Sequence, residues 1–209
     1  MGDKLSQENS ARVTSALRGL GPDLASAADE RGVVFARVTA PFLPAGYLVV
    51  RVQRPGRPRA RVVHLAIAPG GEATVLTGDP VAFNRLARDA GVRVEDPSTA
   101  LAVARVFVEA TTPGDRRYQP VGSPSDLPWR RPLTEEEEDR RAAVLRRVGG
   151  DMAPVAEPGE EGGYDIGFYV VRDRNLDHAT LTISPAGEVA VAHHTIEADL
   201  PFHDTPPRV

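Results

Sequence analysis

One sequence pattern occurs twice in this chain and limits how it can fold. Residues 65–72 have the sequence LAIAPGGE, and residues 181–188 have the sequence LTISPAGE. Each copy is an alternating apolar run that ends at Pro-x-Gly, which predicts a β-hairpin with proline set for a type I turn and glycine in the left-handed region. Another apolar run, from Tyr47 or Tyr164, precedes each copy. We therefore predict two three-stranded antiparallel meanders related by an internal repeat.

Helical patterns surround the first meander. Apolar residues at helical spacing predict a helix over residues 6–20. Asp79-Pro80 and Asp96-Pro97 each place a carboxylate at an N-cap and proline at the first helical position. From Ala100 to Val108 the second of these helices is apolar on almost every side, so we expect it to be the most buried helix.

Another helix is predicted before the second meander. Thr134 and Glu137 match the capping-box pattern, and a narrow apolar face follows them. Residues 132–209 carry a net charge of −9 and residues 1–131 a net charge of +5, so the two parts differ in electrostatic character. Residues 151–163 are acidic and rich in Gly and Pro, and we expect them to be irregular.

Together these elements predict an α+β fold. Two halves, each a set of helices with a three-stranded antiparallel meander, would form one sheet of about six strands or two sheets of about three. The predicted halves are residues 1–112 and 133–200, with a Pro/Gly/Arg-rich loop at 113–132 and a tail at 201–209. We expect one compact domain.

Composition excludes several classes of function. The chain has no Cys, which removes disulfides, thiolate metal ligands and a cysteine nucleophile. Its start is polar and no apolar run could span a bilayer, so we predict a cytoplasmic protein without a membrane partner. The motifs of serine hydrolases, P-loop proteins and dinucleotide-binding proteins are absent. No cofactor is predicted.

Two histidines on the second meander form the first candidate site. A four-residue loop between the first two strands of this meander, followed by the Pro-Ala-Gly corner, sets the predicted register. It places His178 opposite His194, with Tyr169 beside them. Such a pair could act in acid–base catalysis or bind a metal ion, with a carboxylate supplied by Asp173, Asp177 or Glu188. The acidic and histidine residues near the C-terminus lack helical i,i+4 spacing, so a metal cluster there is not favoured.

The loop at 113–132, here named the Trp129 loop, forms the second candidate site. Tyr118 and Trp129 are aromatic residues between the arginine pairs Arg116-Arg117 and Arg130-Arg131. Long loops with rigid aromatic residues cover grooves or contact partners, although such a loop can also simply pack on its own domain.

Five arginines between Arg51 and Arg61 suggest a third interpretation, the binding of nucleic acid. This segment lacks interleaved aromatic residues and the chain as a whole is acidic, so nucleic acid is the less favoured partner.

We therefore predict a non-catalytic binding or accessory protein, with a pathway, resistance or immunity role. It would hold a peptide, small molecule or protein partner on its antiparallel sheet and the Trp129 loop. An open sheet edge could take an extended peptide or a second copy of the chain, forming a homodimer. The alternatives are a small enzyme using His178 and His194, and nucleic-acid binding through Arg51 to Arg61.

Overall fold

The computed structural model describes residues 3–56, 61–113, 118–160 and 162–203, and in these ranges the chain has an α+β fold. Its strands form two antiparallel sheets, each of five strands. Contacts divide the chain into one unit of Met1–Gly114 with Ile183–Val189, and a second of Asp115–Thr182 with Ala190–Val209. None of the helices described is both long enough and apolar enough to cross a bilayer.

The first unit contains a sheet whose five strands follow one another in chain order. Its elements are β1 (Asp3–Lys4), α1 (Gln7–Gly19), α2 (Pro22–Ala27), β2 (Val34–Val38), β3 (Leu48–Arg54), β4 (Arg61–Ile67), β5 (Ala73–Val75), α3 (Pro80–Asp89) and α4 (Pro97–Thr111).

Alternation along β4 gives this sheet two covered faces. Leu65 and Ile67 are buried in a cluster that includes Leu17 of α1. His64 points to the other face, where its Nε2 lies 3.8 Å from a carboxylate oxygen of Glu109 in α4. This sheet is therefore covered on both faces, since successive side chains of a strand point to opposite sides.

Helix α4 has more buried residues than any other described helix, which confirms the prediction for Ala100 to Val108. Phe107 contacts Phe83 of α3 edge to face, with ring centroids 5.2 Å apart. Arg105 is the exposed exception in this apolar run, and its guanidinium donates to the carbonyl oxygen of Thr39 at 2.9 Å. The Asp96 side chain accepts from the first-turn amides, as the N-cap pattern predicts.

The second unit contains the other sheet, in which β8 pairs with β6, β7 and β9, and β10 lies at the edge beside β9. Its elements are β6 (Tyr118–Val121), a short 3-10 helix (Pro124–Asp126), α5 (Glu135–Val148), β7 (Val155–Pro158), β8 (Tyr164–Arg172), β9 (Asn175–Ile183) and β10 (Val189–Glu197).

The core of the second unit lies between one face of this sheet and α5. Val171 and Leu176 on the sheet are buried in the same cluster as Val144 and Val148 of α5. The capping box at Thr134 is confirmed, since the Thr134 hydroxyl accepts from the Glu137 amide and the Glu137 carboxylate accepts from the Thr134 amide.

Three details of the second unit differ from the predictions. Residues 151–163 were expected to be irregular, but Val155–Pro158 forms a strand because β8 offers main-chain partners. The expected tail includes Phe202, which is 3% exposed and bridges to Trp129. The turn between β8 and β9 has two residues instead of four, with Asp173 at a φ of 55°. Of the three, the packing of Phe202 on Trp129 depends on a partner far along the chain.

The two Pro-x-Gly corners have the same hydrogen bonds. In each, the amide of the residue before proline donates to the glutamate carbonyl, at 2.8 Å in the first corner and 2.9 Å in the second. In each, the glycine amide donates back at 2.9 Å, with φ of 90° for Gly71 and 76° for Gly187. Both predicted hairpins are therefore confirmed, and β3–β5 and β8–β10 are both three-stranded meanders. Their origin by internal repeat stays a prediction.

Substitution of Gly187 by alanine should destabilise the protein by about 2–4 kcal/mol, because it adds left-handed backbone strain to overpacking. A Cβ atom at Gly187 would lie 2.5 Å from Cγ1 of Val92, which is buried. Gly71→Ala is the matched control, since a Cβ there meets nothing within 4 Å. It should cost only the backbone strain of about 1–2 kcal/mol. Urea unfolding of both variants measures the difference, and equal losses would contradict this expectation.

Candidate functional site

Strand β10 forms an open edge of the second sheet. It lies at the end of the strand order, and no other described strand pairs with its outer side. Residues 190–195 are all exposed, and Val191 is 42% exposed. The strand carries no charged side chain and no proline before Glu197. Folded proteins usually protect long edge strands with charges, prolines or bulges, so β10 is an unusually accessible edge.

Among the described residues, side chains bond to the main chain of β10 at its first residue and near its end, where Arg147 donates to the Ile196 carbonyl oxygen at 2.7 Å. The side-chain amide of Asn84 accepts from the Val189 amide at 2.9 Å and donates to the Val189 carbonyl oxygen at 3.0 Å. Because the amide and the carbonyl group of Val189 both bond to Asn84, both point away from β9. Because main-chain groups alternate along a strand, Val191, His193 and Thr195 also direct their amide and carbonyl groups outward.

A polar cluster lies on one face of the same sheet. Arg172 of β8 donates from Nε to Oδ2 of Asp177 of β9 at 2.7 Å. Tyr118 of β6 is the strand partner of Arg172, and its ring lies 5.7 Å from the ring of His193 on β10. Asp177 is 0% exposed, and its Oδ1 has no hydrogen-bond partner among the described residues.

Burial controls the ionisation of this cluster. It raises the pKa of Tyr118 to about 12, with Asp177 adding to the rise and Arg172 opposing it. Burial and the charge of Arg172 lower the pKa of His193, against the effect of Asp177. Both rings are therefore neutral near pH 7, and each can donate and accept a hydrogen bond.

The two histidines predicted from the sequence, His178 and His194, lie outside this polar cluster. His178 contacts the ring of Tyr169, with centroids 5.2 Å apart, and His194 is exposed. Asp177 and His178 are neighbours in one strand, so they point to opposite faces of the sheet. Glu188, another predicted carboxylate, is paired with Arg88 at 3.1 Å. The described contacts therefore bring no carboxylate to His178.

The Trp129 loop is packed on its own unit. Trp129 is 9% exposed, and its ring lies 4.9 Å from that of Phe202. Tyr118 is half-buried and belongs to the polar cluster. Arg116 and Arg117, which were predicted binding residues, lie outside the described residues.

Two arginines of the predicted nucleic-acid segment are held by neighbours. Arg54 bonds to Glu30 at 2.8 Å and also to the main chain of Asp23. Arg51 donates to the side chain of Gln53 at 3.3 Å. Other arginines of this segment, Arg57 and Arg59, lie outside the described residues.

Within the described ranges, no group of three or more His, Asp or Glu residues is arranged to hold a metal ion. Sequence reasoning missed Arg172 as a site residue and considered Asp177 only as a carboxylate for His178 and His194. One signal in the sequence could have indicated the pair of Arg172 and Asp177. Asp177 is an acid inside the apolar run from Leu176 to Ile183, and it follows closely after Arg172, which ends the preceding strand. A buried acid in such a strand needs a partner.

Comparisons of the chain with protein-family models, curated proteins and solved structures gave no match.

Proposed function

We propose that this chain is a non-catalytic binding protein that takes an extended peptide segment of a partner protein as an added strand along β10. The observation that carries the proposal is the open edge, in which Val191, His193 and Thr195 offer outward main-chain groups on an exposed, uncharged strand. In strand addition these groups supply affinity, and the side chains beside them supply specificity.

The side chains along β10 suggest which peptides fit. Ala190 and Ala192 point to one face and are small and exposed, so they leave space for large peptide side chains beside them. On the opposite face, His193 and the ring of Tyr118 present neutral polar and aromatic groups. A peptide with large apolar or aromatic residues at alternating positions, and no proline, matches this edge.

Selection from a displayed random library of extended peptides, each of about eight residues, tests the proposal. Peptides selected on the wild-type chain should bind the Val191→Pro variant at least about tenfold more weakly, because proline removes one outward amide donor. An edge strand tolerates proline where its amide faces solvent, so this variant should still fold.

Val191→Ala is the matched control, since it removes the side chain and keeps the amide. It should bind the selected peptides nearly as well as the wild type. If Val191→Pro does not fold, Thr195→Pro removes another outward amide. Equal binding to the wild type and the folded proline variant would refute strand addition. If the wild-type chain forms dimers without any peptide and the proline variant does not, the occupant of the edge is instead a second copy of the chain.

A further inference from the structure

A pocket of about 580 Å³ lies beside the Trp129 loop, within the second unit. Its volume is in the range of small-molecule sites in proteins. Its walls come from the loop before α5 and from α5 itself. The lining includes Pro128, Trp129, Arg130, Arg131, Leu133 and Arg141.

The loop that forms this pocket is anchored by main-chain hydrogen bonds. The Arg130 amide donates to the carbonyl oxygen of Pro201 at 2.8 Å, and the His203 amide donates to that of Pro128 at 2.9 Å. Between these bonds, Trp129 packs against Phe202. A wall anchored in this way is formed before a ligand arrives, which reduces the entropy lost on binding.

Two residues of the lining carry buried N–H groups without an acceptor. Trp129 Nε1 and Arg141 Nε are both buried, and neither has a hydrogen-bond partner among the residues described. Leaving such donors unpaired costs free energy, so buried polar groups are nearly always satisfied by protein, water or ligand. Both atoms are shielded from the pocket as well as from solvent, so the charges of the lining, and not these donors, indicate what the pocket holds.

The charges of the lining favour an anion. Three arginines line the pocket with a single carboxylate, that of Glu138, which pairs with Arg141 at 3.0 Å. Arg130 is bound by Glu137. Arg131 is exposed and makes no ion pair within the described ranges, so its positive charge is uncompensated.

We propose that this pocket binds a small molecule carrying an oxyanion, either a phosphate or a carboxylate. The anion would pair with the guanidinium of Arg131 and with that of Arg141, which is partly exposed and also lines the pocket. This site lies on residues separate from the β10 edge, so it does not depend on the proposed peptide binding.

Trp129 is the only tryptophan of the chain, so its fluorescence reports on this pocket directly. The full-length protein is titrated with pyrophosphate and, separately, with citrate, each at constant ionic strength maintained with sodium chloride. We expect a saturable change in emission for at least one probe. Saturation with pyrophosphate would identify a phosphate site, and saturation with citrate a carboxylate site. No saturable change with either probe would overturn the proposal.

Arg131→Gln and Arg141→Gln should each weaken binding by about tenfold or more, the loss typical of one charge-assisted hydrogen bond. Arg146→Gln is the matched control, because Arg146 is exposed on the same helix and lies outside the pocket. Arg131 lies in an exposed loop, so its variant decides the test if Arg141→Gln does not fold. Equal weakening by all three substitutions would show only a general charge effect and would refute the site.

Discussion

Arg172→Met is expected to destabilise the protein by about 2–3 kcal/mol, because it leaves the buried Asp177 carboxylate without its partner, while the 40% exposure of Arg172 screens part of the loss. Arg172 binds Oδ2 of Asp177, whose other oxygen has no partner among the described residues. Without Arg172, a carboxylate that is 0% exposed would lose this charge-assisted hydrogen bond. Urea unfolding at pH 7 measures the loss.

The double variant Arg172→Met, Asp177→Leu separates this cause from simple loss of packing. It should recover most of the stability, because it removes the buried carboxylate together with its partner, and an apolar replacement for such a pair is often neutral or stabilising. Arg174→Met is a matched control for arginine removal, since the bond that Arg174 donates among the described residues goes to a neutral acceptor, the carbonyl oxygen of Leu200, at 3.3 Å. A single variant as stable as the wild type, or a double variant no better than the single, would contradict the expectation.

Acid is expected to destabilise the first unit through His64. This histidine is 6% exposed, and burial together with the charge of Arg51 lowers its pKa from 6.5 to about 4. The unfolded chain therefore binds the proton more tightly than the folded chain. The free energy of unfolding should fall as the pH drops from about 6.5 to about 4, by about 3 kcal/mol in total at about 1.4 kcal/mol per pH unit.

His64→Leu should remove this part of the acid dependence, because leucine does not titrate. It should also raise stability near neutral pH, since neither ring nitrogen of His64 has a hydrogen-bond partner among the described residues. His194→Leu, at an exposed position, serves as the control for replacing a histidine by leucine. Unfolding followed at several pH values between 4 and 7 compares the three proteins. An unchanged slope in His64→Leu would exclude His64 as the cause.

Much of the fold could be predicted because it depends on residues close together in the chain. The Pro-x-Gly corners at Gly71 and Gly187, the N-cap at Asp96 and the capping box at Thr134 each form from neighbouring residues. Alternating and helical periodicities likewise identify the apolar faces before any tertiary contact is known. By itself, therefore, the sequence determined the α+β class, the two meanders and the burial of α4.

Only the tertiary structure decided which polar groups meet. The cluster of Tyr118, Arg172, Asp177 and His193 draws on four strands, and a turn two residues shorter than expected set its register. The pairing of Phe202 with Trp129 joins residues more than seventy positions apart. Local sequence preferences do not encode such contacts, because they arise from the packing of distant segments and from the need of buried polar groups for partners.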